Sequence, residues 1–280
     1  MRLIHRVDEL RAALRGAHAT ALVPTMGNLH AGHLALIDRA RRHGSPVVAS
    51  IFVNPLQFGE GEDFARYPRT LEQDCSRLAD IGTDIVFAPD VDAMYPEPQT
   101  CVVQPPLADD LCGSHRPGHF QGVATVVLKL FNMVAPRYAV FGKKDYQQWF
   151  ILKTLVRQFN LPIEVLAVDT RRADDGLALS SRNAYLSPAQ RVEAPRLYRV
   201  LRAVANQLER GATDPASVIA GAETELVAHG WRVDYVTVRA RANLRSPAPG
   251  TRDLVVLAAA HLGTTRLIDN IEVTLPPASG

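Results

Sequence analysis

Short apolar runs alternate with amphipathic stretches through the first 170 residues of the chain. The run VVASIFV at 47–53 is apolar almost throughout, which is typical of a strand that a parallel sheet buries on both faces. Similar runs predict further strands at Ala21–Val23, Ile85–Ala88, Tyr138–Phe141 and Ile163–Val168. Because segments with helical spacing lie between these runs, the sequence predicts an α/β fold with a doubly wound parallel sheet.

The segments between the strands have the spacing of amphipathic helices. In RTLEQDCSRLADIG, residues 69–82, Thr70 and Gln73 form a predicted capping box and Gly82 is a predicted stop. Further helices are predicted at 122–136 and 145–159, and MRLIHRVDEL at the amino terminus predicts a strand followed by a helix. Sheets of this kind bind ligands beyond the carboxyl ends of their strands, so we expect functional residues there.

The pattern changes after about residue 171, which predicts a second domain. A polar loop, DDGLALSSRN, precedes a long predicted helix at 186–211 with Ser187 as N-cap and Pro188 at the first helical position. A helix at Pro215–Ala228 and three strand-like runs, VDYVTVR, DLVVLAAAHLG and TRLIDNIEV, follow. We therefore predict a doubly wound domain at 1–171 and a smaller α+β domain at 172–280.

The composition is that of an ordinary globular protein, with 47% hydrophobic and 21% charged residues among 280. A formal net charge of +2 is too small to indicate a nucleic-acid or membrane-surface partner. The three cysteines are scattered, which fits a reducing cytoplasm and not a disulfide framework. Because no apolar run approaches the ~20 residues that span a bilayer and no signal-peptide core is visible, we expect a cytoplasmic location.

The string PTMGNLHAGH, residues 24–33, directly follows the predicted strand at 21–23. His30 and His33 lie on the predicted first turn of a helix, where free backbone N–H groups and the helix dipole favour an anion. Gly27 and Gly32 would let a ligand or backbone approach closely. The imidazoles suit hydrogen bonds to a phosphate, although a bare His-x-x-His pair is more often two packing or surface histidines. Zinc is a weaker alternative because no third ligand is near.

Amide and charged side chains follow two other predicted strands. Asn54 and Gln57 come after the run at 47–53, and their amides suit a ligand with hydroxyl and carboxylate groups. The alternative is that they bond their own turn backbone. Lys143, Lys144 and Asp145 follow the strand at 138–141. A lysine there can bind phosphates and Asp145 can orient it or hold magnesium, whereas the alternative is a solvated charge.

Two further loops carry polar candidates. Ser180, Ser181 and Arg182 supply two hydroxyls and a guanidinium after a glycine, which suits a phosphate-binding loop that closes; the alternative is a polar linker. Arg116 and His119 in GSHRPGHFQGV are candidates for a binding wall, and the alternative is an ordinary Pro-Gly loop.

Gln147 and Gln148 begin the predicted helix at 145–159, and only one of them can face a cleft. Together with the loops above, these residues are explained better by phosphate chemistry in an α/β domain than by coincidence. The sequence contains no GxxxxGK[ST] loop, so ATP, if bound, would use the histidine motif.

Six motifs occur in a fixed order: PTMGxLHxGH, FVNPxQF, YPRT, RPGHFxGV, FGxKDxQQ and DGLAxSSRN. In this order they resemble the pantoate–β-alanine ligase (pantothenate synthetase) family, from about residue 22 to the carboxyl terminus. The resemblance implies a Rossmann-like domain of the nucleotidyltransferase superfamily. The histidine motif and the serine-arginine loop resemble the HIGH and KMSKS signatures of class I aminoacyl-tRNA synthetases.

The resemblance implies a two-step reaction within coenzyme A (vitamin B5) biosynthesis. The pantoate carboxylate attacks the α-phosphorus of ATP, bound with Mg²⁺, to give pantoyl adenylate and pyrophosphate. The β-alanine amine then attacks the adenylate to give pantothenate and AMP. The family resemblance also implies a homodimer whose only other partners are these small molecules, with no nucleic acid and no membrane.

The resemblance implies a role for residues in each motif. It assigns catalysis to His30, His33, Lys144 and Arg182. It assigns ATP binding to Met26, Gly27, Asn28, Leu29, His30, Ala31, Gly32, His33, Gly142, Lys143, Lys144, Asp145, Arg171, Leu179, Ser180, Ser181 and Arg182. It assigns pantoate and β-alanine binding to Pro24, Met26, Asn54, Gln57 and Gln148, and Asp74 is a candidate for magnesium.

A carboxylate nucleophile carries no proton to remove, so we expect His33 to donate a hydrogen bond to the phosphates and not to act as a base. The chain departs from the family's usual residues at Lys143, often Glu, and at Arg171, often a smaller apolar residue. Asn28 and Ala31 face no evident task.

Two other functions remain as alternatives. The first is an adenylyltransferase that keeps the nucleotide on its product, against which the FVNPxQF and RPGHF segments argue because they build an acid pocket. The second is a non-catalytic nucleotide-sensing module, against which the full set of motifs argues. An aminoacyl-tRNA synthetase is disfavoured because no basic anticodon-binding domain is present.

Overall fold

The computed structural model describes residues 1–211 and 214–276. The chain forms two compact units, Met1–Thr170 and Arg171–Gly280, and each has hydrophobic core clusters of its own. The boundary lies one residue before the predicted one, so Arg171 belongs to the second unit. Within the described ranges, no helix combines the length and the hydropathy that a membrane crossing requires.

The first unit contains a sheet of six parallel strands in the order β1-β4-β3-β2-β5-β6. The prediction of a doubly wound parallel sheet is thereby confirmed. The strands are β1 (Arg2–Ile4), β2 (Ala21–Thr25), β3 (Val47–Ile51), β4 (Ile85–Phe87), β5 (Tyr138–Gly142) and β6 (Glu164–Val168). The helices are α1 (Val7–Ala13), α2 (Ala31–Arg41), α3 (Leu71–Asp80), α4 (Val91–Met94), α5 (Cys112–His115), α6 (His119–Val134) and α7 (Tyr146–Gln158).

Both faces of this sheet are covered, which explains the nearly continuous apolar runs in its strands. Successive side chains of a strand point to opposite faces, and β2 shows this directly. Leu22 belongs to the core cluster that α6 and α7 complete, whereas Ala21 and Val23 belong to the cluster that α2 and α3 complete. Residues 21–23 of β2 and 47–50 of β3 are at most 1% exposed, so burial fixes the register.

The strand order creates a switch point between β2 and β5. From β2 the chain proceeds to β3 and β4 on one side, whereas β5 and β6 lie on the other side of β2. Connections that diverge in this way leave a crevice outside the carboxyl ends of the two central strands, and α/β proteins bind ligands there. The histidine motif follows β2 and the motif containing Lys144 follows β5.

The second unit is a small α+β domain, as predicted. Its sheet is antiparallel in the order β7-β8-β9, formed by β7 (Trp231–Ala240), β8 (Asp253–Leu262) and β9 (Thr265–Thr274). Its helices are α8 (Pro188–Glu193), α9 (Arg196–Glu209) and α10 (Pro215–Ala228). Apolar side chains of α9, α10 and one face of β8 form its core.

Two local predictions were wrong. The capping box at Thr70 and Gln73 does not form, because the Thr70 hydroxyl donates to Asp74 Oδ2 at 3.0 Å and makes no cap bond. The single helix predicted at 186–211 is interrupted between α8 and α9. Pro195 lies at this break, and a proline lacks the N–H that a continuous helix would need there. Ser187 does cap α8, in a capping box with Gln190.

Helix α6 is approached very closely by the 3₁₀ turn Pro55–Gln57, which follows β3. A Cβ atom at Gly122 would lie 2.2 Å from the Leu56 carbonyl oxygen and 2.7 Å from the Gln57 backbone nitrogen. Any side chain at this position must therefore push the turn away from the helix. Only glycine leaves enough space for the turn at this position. The turn contains Gln57 and is capped by Asn54, which are both predicted site residues.

We predict opposite effects for the same substitution at two helical glycines. Gly122→Ala should lower the free energy of unfolding by about 1–3 kcal/mol, because overpacking forces the backbone to shift. Gly221→Ala in α10 should raise it by up to ~1 kcal/mol, because no atom lies within 4 Å of the added Cβ and alanine favours helix. Denaturant unfolding of both variants measures this, and a stabilised Gly122→Ala variant would contradict the packing described.

Candidate active site

The predicted site residues of the first unit lie at one edge of the sheet, because the carboxyl ends of parallel strands share an edge. Residues 24–33 lie at the end of β2 and in the turn into α2, Asn54–Gln57 follow β3, and Gly142–Asp145 lie between β5 and α7. The first two segments are in contact, since Gln57 Nε2 lies 3.1 Å from Met26 Sδ. Of the other predicted site residues, Asp74 lies on α3 and Gln148 on α7, whereas Arg171 and Leu179–Arg182 belong to the second unit.

The turn between β2 and α2 is held by the carboxylate of Asp74 on α3, which is 0% exposed. Asp74 Oδ2 accepts the backbone N–H of Asn28 and Oδ1 accepts that of Leu29, each at 2.8 Å. The Thr70 hydroxyl donates to Oδ2 at 3.0 Å. A buried carboxylate needs such donors, and charge-assisted hydrogen bonds are the stronger kind. Asp74 therefore fixes the turn from which the histidines project.

Two consecutive left-handed residues bring the backbone onto Asp74. Gly27 has a φ of +82° and Asn28 a φ of +51°. A Cβ at residue 27 would lie 3.1 Å from Asp74 Oδ2. Glycine at this position therefore allows both the positive φ and the close approach of the carboxylate. Asparagine is among the few other residues that tolerate this conformation. We expected no role for Asn28, but its positive φ directs its backbone N–H to Asp74, so it has a structural role in the turn.

The expectation that Asp74 contacts magnesium is corrected by this geometry. The carboxylate is fully buried and both of its oxygens already accept hydrogen bonds, so a cation has no access to it. Among residues 1–211 and 214–276, no group of three or more His, Cys, Asp or Glu side chains is arranged to hold a metal ion. Arg77, also on α3, donates to the Leu29 carbonyl and completes the hold on the turn.

The two histidines cap the helix that they begin. His30 is the N-cap of α2, and its Nδ1 accepts the N–H of Gly32 at 3.1 Å. His33 Nδ1 accepts the N–H of His30 at 3.3 Å, which completes a reciprocal capping box. A ring nitrogen that accepts an N–H carries no proton, so each neutral ring carries its proton on Nε2. The capping bonds therefore make each Nε2 a hydrogen-bond donor.

The surroundings keep both imidazoles neutral. Burial lowers the pKa of His30 to about 4, and the positive charge of Lys144 acts in the same direction. Burial and the neighbouring His30 lower the pKa of His33 to about 3, against a smaller opposing effect of Asp145. The ring centroids are 4.1 Å apart, so a second positive charge would be strongly disfavoured. At neutral pH the pair presents two uncharged N–H donors.

The turn after β5 carries the cationic candidates. Lys144 Nζ lies 4.0 Å from Asp145 Oδ1, and Asp145 is exposed. Lys143 Nζ lies 3.0 Å from Asp169 Oδ1, just after β6. We expected Lys143 to add positive charge beside bound phosphates. Lys143 pairs with Asp169, whereas Lys144 acts electrostatically on both histidines.

The structure distinguishes Gln147 from Gln148. Gln147 is buried, its Oε1 accepts the N–H of Cys112 at 3.0 Å, and its Nε2 donates to the carbonyls of Leu107 and Asp110 at 2.9 and 2.8 Å. Its amide thus ties the backbone before α5 to α7. Gln148 is half-buried and is the one that stays a candidate for substrate.

Arg116 and His119, the candidates for a binding wall, brace the turn at Gln57. Arg116 forms a two-pronged ion pair with Glu62 at 2.7 and 2.6 Å, and its Nη1 lies 3.0 Å from His119 Nε2. His119 Nδ1 donates to the Gln57 carbonyl at 2.8 Å, so its proton is on Nδ1. Burial lowers the pKa of His119 to about 4, which keeps it neutral. Sequence reasoning missed Glu62 because it lies in a loop without periodicity.

The serine-arginine loop lies in the second unit and is anchored there. Leu179 N–H donates to the Arg171 carbonyl at 2.9 Å, and the Ser180 hydroxyl oxygen accepts the Arg182 N–H at 3.2 Å as the cap of a 3₁₀ turn, Ser181–Tyr185. Next to Arg171, Arg172 forms a two-pronged pair with Asp269 at 2.6 and 2.8 Å, with its guanidinium 3.7 Å from the Tyr198 ring centre. These contacts of Arg171 and Arg172 anchor the residues that precede the loop within the second unit.

Comparisons with known proteins decide the family. The sequence model described as Pantoate-beta-alanine ligase matches residues 2–272. The chain belongs to this family. It is 60% identical to the pantothenate synthetase of Thiobacillus denitrificans over 276 residues, 98% of each chain. It is 56% identical to that of Neisseria meningitidis over 278 residues, 99% of this chain and 100% of the other.

Solved structures of pantothenate synthetases also resemble the chain. The structure from Thermus thermophilus gives a TM-score of 0.93 at 48% identity, covering 99% of this chain and 100% of that one. The pantoate-beta-alanine ligase of Francisella tularensis, complexed with beta-gamma ATP and beta-alanine, gives 0.83 at 32% identity, covering 97% of each. The family makes this chain a ligase of pantothenate biosynthesis. It supports neither another adenylyltransferase nor a nucleotide sensor.

We predict two different histidine tautomers at the site of this ligase. Nitrogen-15 NMR at pH 7 should show neutral imidazoles protonated at Nε2 in His30 and His33 and at Nδ1 in His119. None of the three should become charged above pH 5, because their pKa values are about 4, 3 and 4. His→Gln variants at each position assign the signals. A His33 ring that titrates near pH 6.5, or carries its proton on Nδ1, would contradict the capping geometry.

Proposed function

We propose that the chain condenses pantoate with β-alanine to pantothenate through a pantoyl adenylate, consuming ATP and releasing AMP and pyrophosphate. The observation that carries this proposal is the pair of neutral Nε2–H donors and the nearby Lys144 at the switch point of the sheet. The proposal is supported by the Francisella tularensis ligase, which was solved with beta-gamma ATP and beta-alanine.

In the first step, a pantoate carboxylate oxygen forms a bond to the α-phosphorus and the bond from that phosphorus to the bridging oxygen of pyrophosphate breaks. Negative charge builds on the transferred and leaving phosphates. Fixed donors aimed at such charge lower the barrier, and His30, His33 and Lys144 are the donors that we propose. No proton is transferred in this step. His33, with Nδ1 occupied and Nε2 protonated, has no free lone pair to act as a base.

In the second step, the β-alanine amine attacks the acyl carbon, the bond to AMP breaks, and the amine proton passes to solvent. We propose that Gln57 and Gln148 bind pantoate, that Gln57 also meets β-alanine, and that Pro24 and Met26 border these acids. The buried Asn54–Gln57 pair and the contact of Gln57 with Met26 support this assignment.

The nucleotide site is proposed to comprise residues 26–33 and 142–145 of the first unit, with the backbone at Arg171. Residues 179–182 of the second unit are proposed as a phosphate-binding loop, where Arg182 adds positive charge. Magnesium is proposed to enter as the ATP complex. Asp145 is exposed, so a cation can reach its carboxylate, whereas the Asp74 carboxylate is buried. We also propose a cytoplasmic homodimer with no nucleic-acid or membrane partner.

Oxygen-18 in the pantoate carboxylate tests the adenylate. Because one labelled oxygen becomes the bridge to phosphorus, AMP should gain one label per turnover and pantothenate should keep one. Pyrophosphate should gain none, and labelled water with unlabelled pantoate should leave AMP unlabelled as a control. Label in inorganic phosphate, with ADP as the other product, would contradict the proposal because it requires an acyl phosphate.

A further inference from the structure

A chain of three polar side chains ends at Gln57. The Tyr95 hydroxyl donates to Asn54 Oδ1 at 2.8 Å, and Asn54 Nδ2 donates to Gln57 Oε1 at 3.1 Å. Gln57 Nε2 in turn contacts Met26 Sδ at 3.1 Å. Asn54 is 1% and Gln57 8% exposed, so water does not compete for these groups. Tyr95 lies outside the six sequence motifs.

Backbone groups fix the direction of this chain. The Gly122 carbonyl, which can only accept, lies 3.2 Å from Asn54 Nδ2. The N–H of Leu56, which can only donate, lies 3.3 Å from Asn54 Oδ1. The Asn54 amide therefore has one orientation, and its nitrogen must face Gln57 Oε1. This bond fixes the orientation of the Gln57 amide, with its oxygen toward Asn54 and its NH₂ group on the other side as a donor.

Tyr95 holds the far end of the chain. Its ring packs edge-on to Phe52 with centroids 6.0 Å apart, and Lys129 Nζ lies 5.2 Å from the ring centre. Burial raises the pKa of the Tyr95 phenol, so the hydroxyl keeps its proton and remains a donor. Without this hydroxyl, Asn54 Oδ1 would retain only the longer bond from Leu56.

We propose that Tyr95 is a positioning residue for the acid substrate, acting through Asn54 to keep the Gln57 NH₂ group turned toward it. Gln57 then presents its NH₂ group as a donor, which suits an acceptor such as a carboxylate or a hydroxyl oxygen of the substrate. This inference rests on the proposed role of Gln57 in binding pantoate.

Tyr95→Phe removes the hydroxyl and keeps the ring packing. We expect the KM for pantoate to rise about tenfold, as the loss of one buried hydrogen bond would cause, with the KM for ATP changed less than about twofold. Tyr138→Phe is the matched control, since Tyr138 is also partly buried but lies at the opposite, amino end of β5. Thermal unfolding shows that both variants are folded when the constants are measured.

A double-mutant cycle with Gln57→Ala separates positioning from a structural role. If Tyr95 acts through the Gln57 amide, Tyr95→Phe should no longer raise the KM for pantoate once that amide is absent. Three outcomes would overturn the inference. Tyr95→Phe could raise the KM for pantoate equally in wild type and in the Gln57→Ala variant, or leave it unchanged in wild type. It could also raise the KM for pantoate and the KM for ATP by the same factor. If Gln57→Ala itself leaves the KM for pantoate unchanged, the proposed role of Gln57 fails, and the inference fails with it.

Discussion

The buried carboxylate of Asp74 is the interaction on which the candidate site depends. It accepts the N–H groups of Asn28 and Leu29, which two left-handed residues turn inward from the end of β2. Buried N–H groups must find acceptors, and no regular structure supplies them in this turn. The carboxylate thus determines where the chain leaves the sheet and where α2 begins. The position of His30, and through it that of His33, follows from this point.

The same physical device recurs in both halves of the site: a backbone group selects which atom of a side chain faces outward. Backbone N–H groups occupy Nδ1 of His30 and His33, so the proton of each ring is on Nε2, which is the donor. The Gly122 carbonyl orients Asn54, whose Nδ2 donates to the Gln57 oxygen. The Gln57 NH₂ group is therefore the part turned toward a ligand. Pantoate and the triphosphate of ATP are both anionic, and neutral donors in fixed directions, together with the charge of Lys144, suit them. Such donors need no reorganisation when charge develops.

The sequence predicted the fold well because burial on both faces makes the strands β2 to β5 apolar almost throughout. Three of the six motifs, PTMGxLHxGH, FVNPxQF and FGxKDxQQ, also lie at strand ends. It predicted which residues gather at the sheet edge but not their partners. Asp74 is one acidic residue of an amphipathic helix more than forty positions from the turn that it holds, and no spacing rule connects them. Glu62 and Tyr95 act through contacts between distant segments, as does Arg116. The choice between Gln147 and Gln148 depended on which helix face is buried, which a single sequence leaves open at a helix start.

The most direct measurement of the central claim compares Asp74→Asn with Asp80→Asn, an exposed position of the same helix. An amide nitrogen cannot accept, so Asp74→Asn leaves one backbone N–H unpaired. The account predicts a loss of about 1–3 kcal/mol in the free energy of unfolding and a higher KM for ATP, with an unchanged magnesium requirement. Asp80→Asn should change stability by less than about 0.5 kcal/mol. An Asp74→Asn variant of wild-type stability that needs more magnesium would contradict the account.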